Sequence, residues 1–429
     1  MGIATILANK RIYSISAFSI FVALLVSMAF SMRLENSISI ILLVIIVFLS
    51  AYRISFLKNA FTDPYFLCCL GFMLIHISGL LYTGDPDQNL RETSIKAGII
   101  AIPFFFCANA LRISVNLPRL MVIFSSAIFF ATLYCLFHAF MAYREEHNIS
   151  VFFYHTLLKP FNEHAVYYSF YVLFCIIYWI EEGIGLCAKK SQKFIIIAFL
   201  FYFLFIIILL ASKIALAALS VYFIYFLISY AFKRKNIKIA FAFILGIATV
   251  LTIILTTHNP VKNRFLDLTS GTATLFTEKK FSPDIYFNGL QFRLLTWRFT
   301  YEILNEQKAW VLGVSAGDSQ KHLHQKYVAA NMYLGKDLTR QGYIIYNCHN
   351  IYLQTVLESG MMGLAALLLI ITTLIIKFVK SKKRTALIFF LCMLAFGFTE
   401  SYLSRQFGIV LFTFFPLLAF SSEHTKIKS

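Results

Sequence analysis

Long apolar runs separated by short polar segments dominate this chain. A helix needs about 20 mostly apolar residues to cross a bilayer, and twelve runs approach that length. They lie near residues 13–32, 37–52, 64–83, 97–111, 120–142, 164–181, 194–211, 213–232, 239–257, 353–376, 385–401 and 406–421. The pattern predicts an all-α polytopic membrane protein with about 12 transmembrane helices. The first run lacks a convincing small-residue cleavage site, so we expect an uncleaved anchor rather than a signal peptide.

The overall composition also indicates a membrane protein. Of 429 residues, 59% are apolar and 14% are charged, whereas soluble domains have about 45–50% and about 25%. The net charge of +18 could indicate nucleic-acid binding. Because the basic residues cluster in short segments between apolar runs, we interpret them as topology signals and expect no nucleic-acid partner.

The basic residues predict the orientation in the membrane. With a cytoplasmic N-terminus, the cytoplasmic segments contain 20 Lys and Arg residues, and "KFVKSKKR" at 377–384 is the clearest cluster. The five short outer connections contain seven, namely Arg33, Arg91, Lys96, Arg144, Lys159, Lys213 and Arg405. Short cytoplasmic loops are enriched in Lys and Arg. Both termini are therefore predicted to be cytoplasmic.

One outer segment is far longer than the others. Residues 258–348 contain no predicted span and hold 11 basic and seven acidic residues. A long structureless connection is unusual, and "DIYFNGLQFRLLTWRFTYEIL" has helical apolar spacing. We therefore predict transmembrane helices one to nine in 1–257, a partly helical external loop domain in 258–348, and helices ten to twelve with a short cytoplasmic tail in 349–429.

Polar residues that interrupt the apolar pattern gather at the outer face. They are Lys213, Arg264, Arg293, Arg340, His349, Asn350, Glu400 and Arg405. Cations and an imidazole at one interface favour an anionic lipid-linked substrate such as a pyrophosphate, because Arg binds phosphate oxygens in pairs. The simpler alternatives are cations at helix ends that reach into the headgroup layer and a hydrogen-bonded surface histidine. Glu358 lies inside an apolar run, where carboxylates are usually paired or functional.

Other candidate sites are less well supported. Cys348 could act as a nucleophile beside His349, but a reactive thiolate also needs a base and a positive field. His322 and His324, near Asp318, resemble a fragment of a zinc site without a third ligand. No metal-ligand cluster or Asp-x-Asp motif is evident. We therefore predict a metal-independent protein without a cofactor.

The stretch "HNIYLQTVLESGMMG" resembles a signature of the bacterial O-antigen ligase and polymerase superfamily. That signature is His-Asn, nine residues, Gly, two residues and a small residue, which His349, Asn350, Gly360 and Gly363 match. The segments "NPVKNRF", "FRLLTW", "GVSAGD" and "FTESYLSRQFG", and the late external loop, are also similar to that superfamily. Family members usually carry Arg where this chain has Lys213, which keeps the charge but loses the two-pronged phosphate contact.

The resemblance implies glycosyl transfer at the periplasmic face of the bacterial inner membrane. The donor would be an undecaprenyl-pyrophosphate-linked glycan, and the acceptor a hydroxyl of lipid A-core, with inversion at the anomeric carbon. His349 would be the catalytic base, and Arg293 would stabilise the leaving pyrophosphate. The other roles are binding of the pyrophosphate or lipid carrier by Lys213, Arg264, Arg405 and Asn350, and support by Glu358, Glu400 and Arg340.

Other functions remain open at this stage. An O-antigen polymerase or a protein O-oligosaccharyltransferase would differ only in the acceptor, which would be a second glycan or a protein. A transporter or flippase belongs to another class. It should place ionisable residues near the membrane midplane, where His76 and His138 are the only obvious candidates. The polar residues gather instead on one face, which favours the ligase hypothesis.

Overall fold

The computed structural model describes residues 10–30, 54–108, 116–234, 252, 274–335 and 342–421, with backbone only at 10–17, 54–57, 231–234 and 274. All regular elements within these ranges are helical, which confirms the all-α class. The helices are α1 Lys10–Phe30, α2 Ile54–Thr62, α3 Pro64–Ser78, α4 Pro86–Ile95, α5 Gly98–Ala108, α6 Leu117–Glu146, α7 Tyr154–Leu157, α8 Ala165–Tyr178, α9 Ile184–Leu186, α10 Lys190–Leu209, α11 Lys213–Arg234, α12 Thr274–Thr277, α13 Gly289–Glu306, α14 Ala316–Ala329, α15 Ile351–Lys380, α16 Arg384–Gly397 and α17 Gln406–Phe420.

Several of these helices can cross a membrane. Six stretches in the described ranges are long and apolar enough: Pro64–Leu81, Leu117–Glu146, Ala165–Leu186, Lys190–Leu209, Lys213–Tyr230 and Ile351–Lys380. Shorter apolar helices cover Phe18–Phe30, Arg384–Gly397 and Gln406–Phe420. The chain is therefore a multi-pass membrane protein. The predicted runs 37–52 and, apart from residue 252, 239–257 lie outside the described residues, so the count of twelve, the orientation and the domain boundaries stay predictions.

The chain divides into two compact units. The first comprises Met1–Ile20, Asn36–Asn116 and Leu268–Glu423, and the second comprises Phe21–Glu35, Leu117–Asp267 and His424–Ser429. In the second unit, α8 is buried along nearly its whole length. Two hydrogen bonds that fix its ends are Trp179 Nε1 to Ser125 Oγ at 2.8 Å and Tyr168 Oη to the Ala29 carbonyl at 3.0 Å.

In the first unit, α15 packs along α3, while α17 packs against α5 and α16. The residues between α11 and α15 have their own apolar cluster, which α13 and α14 share with the start of α15. The sequence predicted a helix here, and α13 begins where Asn288 accepts hydrogen bonds from the amides of Leu290 and Gln291, both at 3.0 Å. The Gln291 side chain accepts from the Asn288 amide in return, which completes a capping box.

The helix α15 is interrupted at Gly360. The sequence predicted one continuous span over 353–376, but Gly360 has φ 64° and ψ −163°. The loop between α13 and α14 enters the break, because the Met361 amide donates to the Trp310 carbonyl at 2.8 Å and the Val314 amide donates to the Leu357 carbonyl at 2.8 Å. These bonds replace helix bonds that the break removes. The close partner of Gly360 is thus a loop rather than a neighbouring helix.

Replacing Gly360 with Ala should strongly destabilise the first unit. A Cβ at this position would overlap the Val311 carbonyl group, and the positive φ adds strain. We expect Gly360→Ala to lower the free energy of unfolding by about 2–4 kcal/mol, measured by thermal unfolding in detergent micelles. Gly71→Ala is the control, because a Cβ there meets nothing within 4 Å. Equal melting temperatures for both variants would contradict the broken helix.

A cluster of ion pairs joins α13 to α14 on the external segment. Lys326 Nζ lies 2.9 Å from Glu302 Oε2 and 2.6 Å from Glu306 Oε1, and Arg298 Nε lies 2.8 Å from Glu302 Oε1. Burial alone would raise the pKa of Glu302, but hydrogen bonds from Lys326 and Arg298 lower it overall. Burial would lower the pKa of Lys326, but its two carboxylate partners raise it overall.

Lys326→Met should cost a modest amount of stability that depends on pH and salt. Half-exposed pairs of this kind contribute about 1 kcal/mol. The contribution of Glu302 to the free energy of unfolding is fully present above pH 4.5, the ordinary pKa of a Glu carboxyl, and is lost as the pH falls below that value. The contribution of Lys326 to the free energy of unfolding is fully present below pH 10.5, the ordinary pKa of a Lys ammonium, and is lost as the pH rises above that value. Thermal unfolding at pH 7 should separate the variant from wild type, and the difference should shrink in 1 M salt. A difference in melting temperature that 1 M salt leaves unchanged would contradict stabilisation by ion pairing.

Candidate active site

His349 lies in a tight turn immediately before α15. Its backbone has φ 49°, the left-handed region that costs a non-glycine residue energy. The Asn347 side chain accepts a hydrogen bond from the His349 amide at 3.0 Å. Asn350 then caps α15, because its Oδ1 accepts from the amides of Tyr352 and Leu353 at 2.9 and 3.1 Å. The strained turn is thus fixed on both sides of the imidazole.

The segment after α16 carries Glu400 to this turn. The Asn350 amide donates to Ser401 Oγ at 2.9 Å, and Asn350 Nδ2 donates to the Phe398 carbonyl at 3.4 Å. These contacts join the "HN" motif to the "FTES" motif, which are distant in sequence. Both polar ends of the Asn350 side chain therefore have protein partners, and its predicted pyrophosphate contact stays a prediction.

Glu400 contacts both residues that were predicted to be catalytic. Its two carboxylate oxygens lie 3.2 and 3.3 Å from His349 Nδ1. Its Oε2 also lies 3.5 Å from Arg293 Nη2. The Glu400 side chain is 8% exposed and that of Arg293 is 28% exposed, while that of His349 is 16% exposed. A buried carboxylate thus joins a base and a cation that both reach solvent.

This arrangement sets which imidazole nitrogen can act as a base. An ionised carboxylate only accepts hydrogen bonds, so it favours a proton on His349 Nδ1. The other nitrogen, Nε2, then keeps its lone pair for a substrate proton. The rings of Phe292 and Tyr346 surround the imidazole, with centroids 5.9 and 5.6 Å away.

Arg293 is the fifth residue of α13, and its backbone partners use only part of its hydrogen-bond donors. Its Nε donates to the Thr399 carbonyl at 2.7 Å, and its Nη1 donates to the Gly289 carbonyl at 2.8 Å. A guanidinium has five N–H donors. Beyond these two bonds and the Glu400 contact of Nη2, two donors remain, enough for a two-pronged contact with a phosphate group.

A comparison with protein families finds a match over part of the chain. Residues 198–368 match the family model described as O-antigen ligase. This part of the chain, less than half of its length, is thus similar to O-antigen ligases, which supports the resemblance to the O-antigen ligase and polymerase superfamily. No curated protein matches the chain. The matched stretch contains Lys213, Arg293 and His349, whereas Glu400 lies beyond it, so one residue of the candidate site comes from outside the matched stretch.

The remaining predicted site residues differ in how the structure places them. Arg264 and Arg340 lie outside the described residues. Lys213 is the first residue of α11, in the second unit. Arg405 is exposed at the start of α17, and its guanidinium lies 5.9 Å from the centre of the Phe407 ring. The roles assigned to these four cations stay predictions.

Glu358 has partners that sequence reasoning did not find. Its Oε2 lies 2.9 Å from Lys96 Nζ and 3.3 Å from His76 Nε2, and its Oε1 accepts a hydrogen bond from Gln354 at 2.7 Å. It does not contact the His349 imidazole in the described contacts. The sequence offered one signal, a carboxylate that needs a partner inside an apolar run. It could not say which cation supplies that partner.

The structure disfavours the two other candidate sites. Cys348 is fully buried, and burial raises the pKa of its thiol to about 12, so it is protonated at neutral pH and unsuited to nucleophilic attack. Asp318 Oδ2 accepts from the Gly84 amide at 2.7 Å and from Thr83 Oγ1 at 3.0 Å. These bonds hold the start of α14 against the segment that precedes α4. Within the described residues, no group of three or more His, Cys, Asp or Glu side chains could hold a metal ion.

Proposed function

We propose that this protein is an O-antigen ligase. It transfers a glycan from undecaprenyl pyrophosphate to a hydroxyl of lipid A-core at the periplasmic face of the bacterial inner membrane. The observation that carries the proposal is the Glu400 carboxylate between His349 Nδ1 and Arg293 Nη2. A base and a cation beside one carboxylate suit a reaction that removes a proton while a pyrophosphate leaves.

The transfer is a single displacement. The acceptor hydroxyl oxygen forms a bond to the anomeric carbon while the bond from that carbon to the pyrophosphate oxygen breaks. The hydroxyl proton passes to His349 Nε2, and the bonding electron pair leaves with undecaprenyl pyrophosphate. Attack opposite the leaving group inverts the anomeric centre. Glu400 stabilises the imidazolium that forms, and Arg293 stabilises the negative charge on the leaving group.

The substrates are bound by charge and by aromatic surface. The Arg293 donors that are bonded neither to its two carbonyl partners nor to Glu400 bind the pyrophosphate, with Lys213, Arg264 and Arg405 as further contacts. The Tyr346 ring is 40% exposed and lies next to the imidazole. Its flat apolar face suits a sugar ring of the glycan. The donor is already activated, so transfer needs no nucleotide and we expect EDTA to leave the rate unchanged.

The test is transfer by the purified full-length protein in proteoliposomes. The donor is an undecaprenyl-pyrophosphate-linked glycan, supplied with lipid A-core, with an acceptor protein, or alone. Gel mobility and release of undecaprenyl pyrophosphate are the readouts. We expect both signals with lipid A-core, and their loss in Arg293→Ala. Elongation of the donor without lipid A-core would indicate a polymerase, and modified protein would indicate protein glycosylation. Folded protein that releases no undecaprenyl pyrophosphate with any acceptor would overturn glycosyl transfer.

A further inference from the structure

A cluster of buried charged side chains surrounds Glu358, which lies on α15 just before the break at Gly360. The Glu358 side chain is 2% exposed, that of Lys96 is 3% exposed and that of His76 is fully buried. Lys96 follows α4 directly, and His76 lies on α3. Burying charged groups is costly even when they are paired, and apolar side chains of similar volume often pack equally well. Because burial of these charges is costly, we infer that the cluster has a role other than packing.

The cluster connects to the active site through one side chain. Gln354 Nε2 donates to Glu358 Oε1 at 2.7 Å, and Gln354 Oε1 accepts from the Cys348 amide at 3.2 Å. On its other side, the Cys348 carbonyl accepts from Trp297 Nε1 at 3.1 Å. That carbonyl belongs to the peptide bond that joins Cys348 to His349. The backbone entering the strained turn is therefore held at both of its polar groups.

We propose that Lys96, Glu358 and Gln354 form a positioning relay that holds the backbone before His349 and so aims its imidazole at Glu400 and the acceptor. This proposal rests on the proposed function, because the orientation of the imidazole affects the rate only if His349 is the base of that reaction. Lys96 fixes the Glu358 carboxylate, the carboxylate fixes the Gln354 amide, and the amide fixes the Cys348 peptide. Because Gln354 must point its NH₂ at Glu358, its oxygen faces the Cys348 amide.

The relay matters because His349 occupies an unfavourable backbone conformation. A non-glycine residue in the left-handed region persists only where its surroundings hold it. Loss of the Gln354 bond would let the turn relax and would move the imidazole away from the reacting atoms. A displacement of about 1 Å at a reacting group can cost about 10²-fold in rate. The effect should fall on the chemical step, since none of the three relay residues contacts substrate in this proposal.

Gln354→Met is the decisive variant. It keeps the length of the side chain, removes both hydrogen bonds, and leaves Glu358 with Lys96 and His76. We expect kcat to fall about 10- to 100-fold, with KM within about twofold of wild type and only a modest fall in melting temperature from the two lost hydrogen bonds. Gln88→Met is the matched control, because Gln88 makes the same kind of bond to Glu92, at 2.8 Å, four residues along α4. It should keep wild-type activity.

Two further measurements separate positioning from folding. In a His349→Ala background, Gln354→Met should cost no additional residual activity, because the relay acts through the imidazole. Lys96→Arg, which keeps the charge, should retain activity, whereas Lys96→Met should lose kcat or fail to fold. Additive losses in the double variant would overturn the relay, as would wild-type kcat in Gln354→Met.

Amide hydrogen exchange tests the relay without an activity assay. In the full-length protein, the backbone amides of residues 347–350 should exchange faster in Gln354→Met than in wild type. Faster exchange with an inactive wild type would refute the proposed function and leave the relay intact. Unchanged exchange would refute the relay, whatever the activity of the wild type.

Discussion

We expect His349→Ala to lower kcat by about 10²- to 10⁴-fold, the usual contribution of a general base. In the proposed mechanism, the imidazole Nε2 takes the acceptor proton, and Ala supplies no replacement. KM for the donor should change little, because the proposed pyrophosphate contact is made by Arg293 rather than by His349. The measurement is the initial rate of glycan transfer in proteoliposomes, with the donor varied at a saturating concentration of acceptor.

The control for this variant comes from the same external region. His324 is exposed on α14, and His324→Ala should transfer glycan at the wild-type rate. The melting temperature of His349→Ala should stay close to that of wild type, since its side chain is only part-buried. A correctly folded His349→Ala protein with full activity would remove the imidazole from the mechanism.

The helices could be predicted from the sequence because each one depends on a local pattern. The run 120–142 became α6, and the run 353–376 became the core of α15. The break at Gly360 could not be predicted in the same way. It depends on carbonyl and amide groups of residues 310–314, which are distant in sequence, and an apolar run gives no sign of a loop that enters it. A glycine in such a run fits close helix packing equally well.

The active site shows the same limit. His349 and Arg293 were predicted from a motif and a charge pattern, and Glu400 was predicted only as support. The sequence could not show that one carboxylate contacts both, because the contact depends on how the turn before α15 meets the segment after α16. The pairing of Lys96 with Glu358 was missed for a similar reason. Seven basic residues were assigned to the short outer connections, and none was distinguished by its local sequence.

Glu400→Gln should be nearly as damaging as loss of the imidazole. The substitution keeps size and shape but removes the negative charge that orients His349 Nδ1–H and stabilises the imidazolium. An amide can also present its NH₂ to Nδ1, which would favour the wrong tautomer and block Nε2 as a base. We expect kcat to fall about 10²-fold or more. Stability should change little, because Arg293 keeps its bonds to two carbonyl groups and reaches solvent.

The double variant decides whether Glu400 works through His349. If it does, Glu400→Gln combined with His349→Ala should be no slower than His349→Ala alone, because the carboxylate has no imidazole left to orient. Glu400 also contacts Arg293, so a part of its effect could act on the leaving group instead. In that case the two losses would multiply, and donor KM would rise together with the fall in kcat. Non-additive losses with unchanged KM would assign Glu400 to the base, and multiplied losses would assign it to the pyrophosphate.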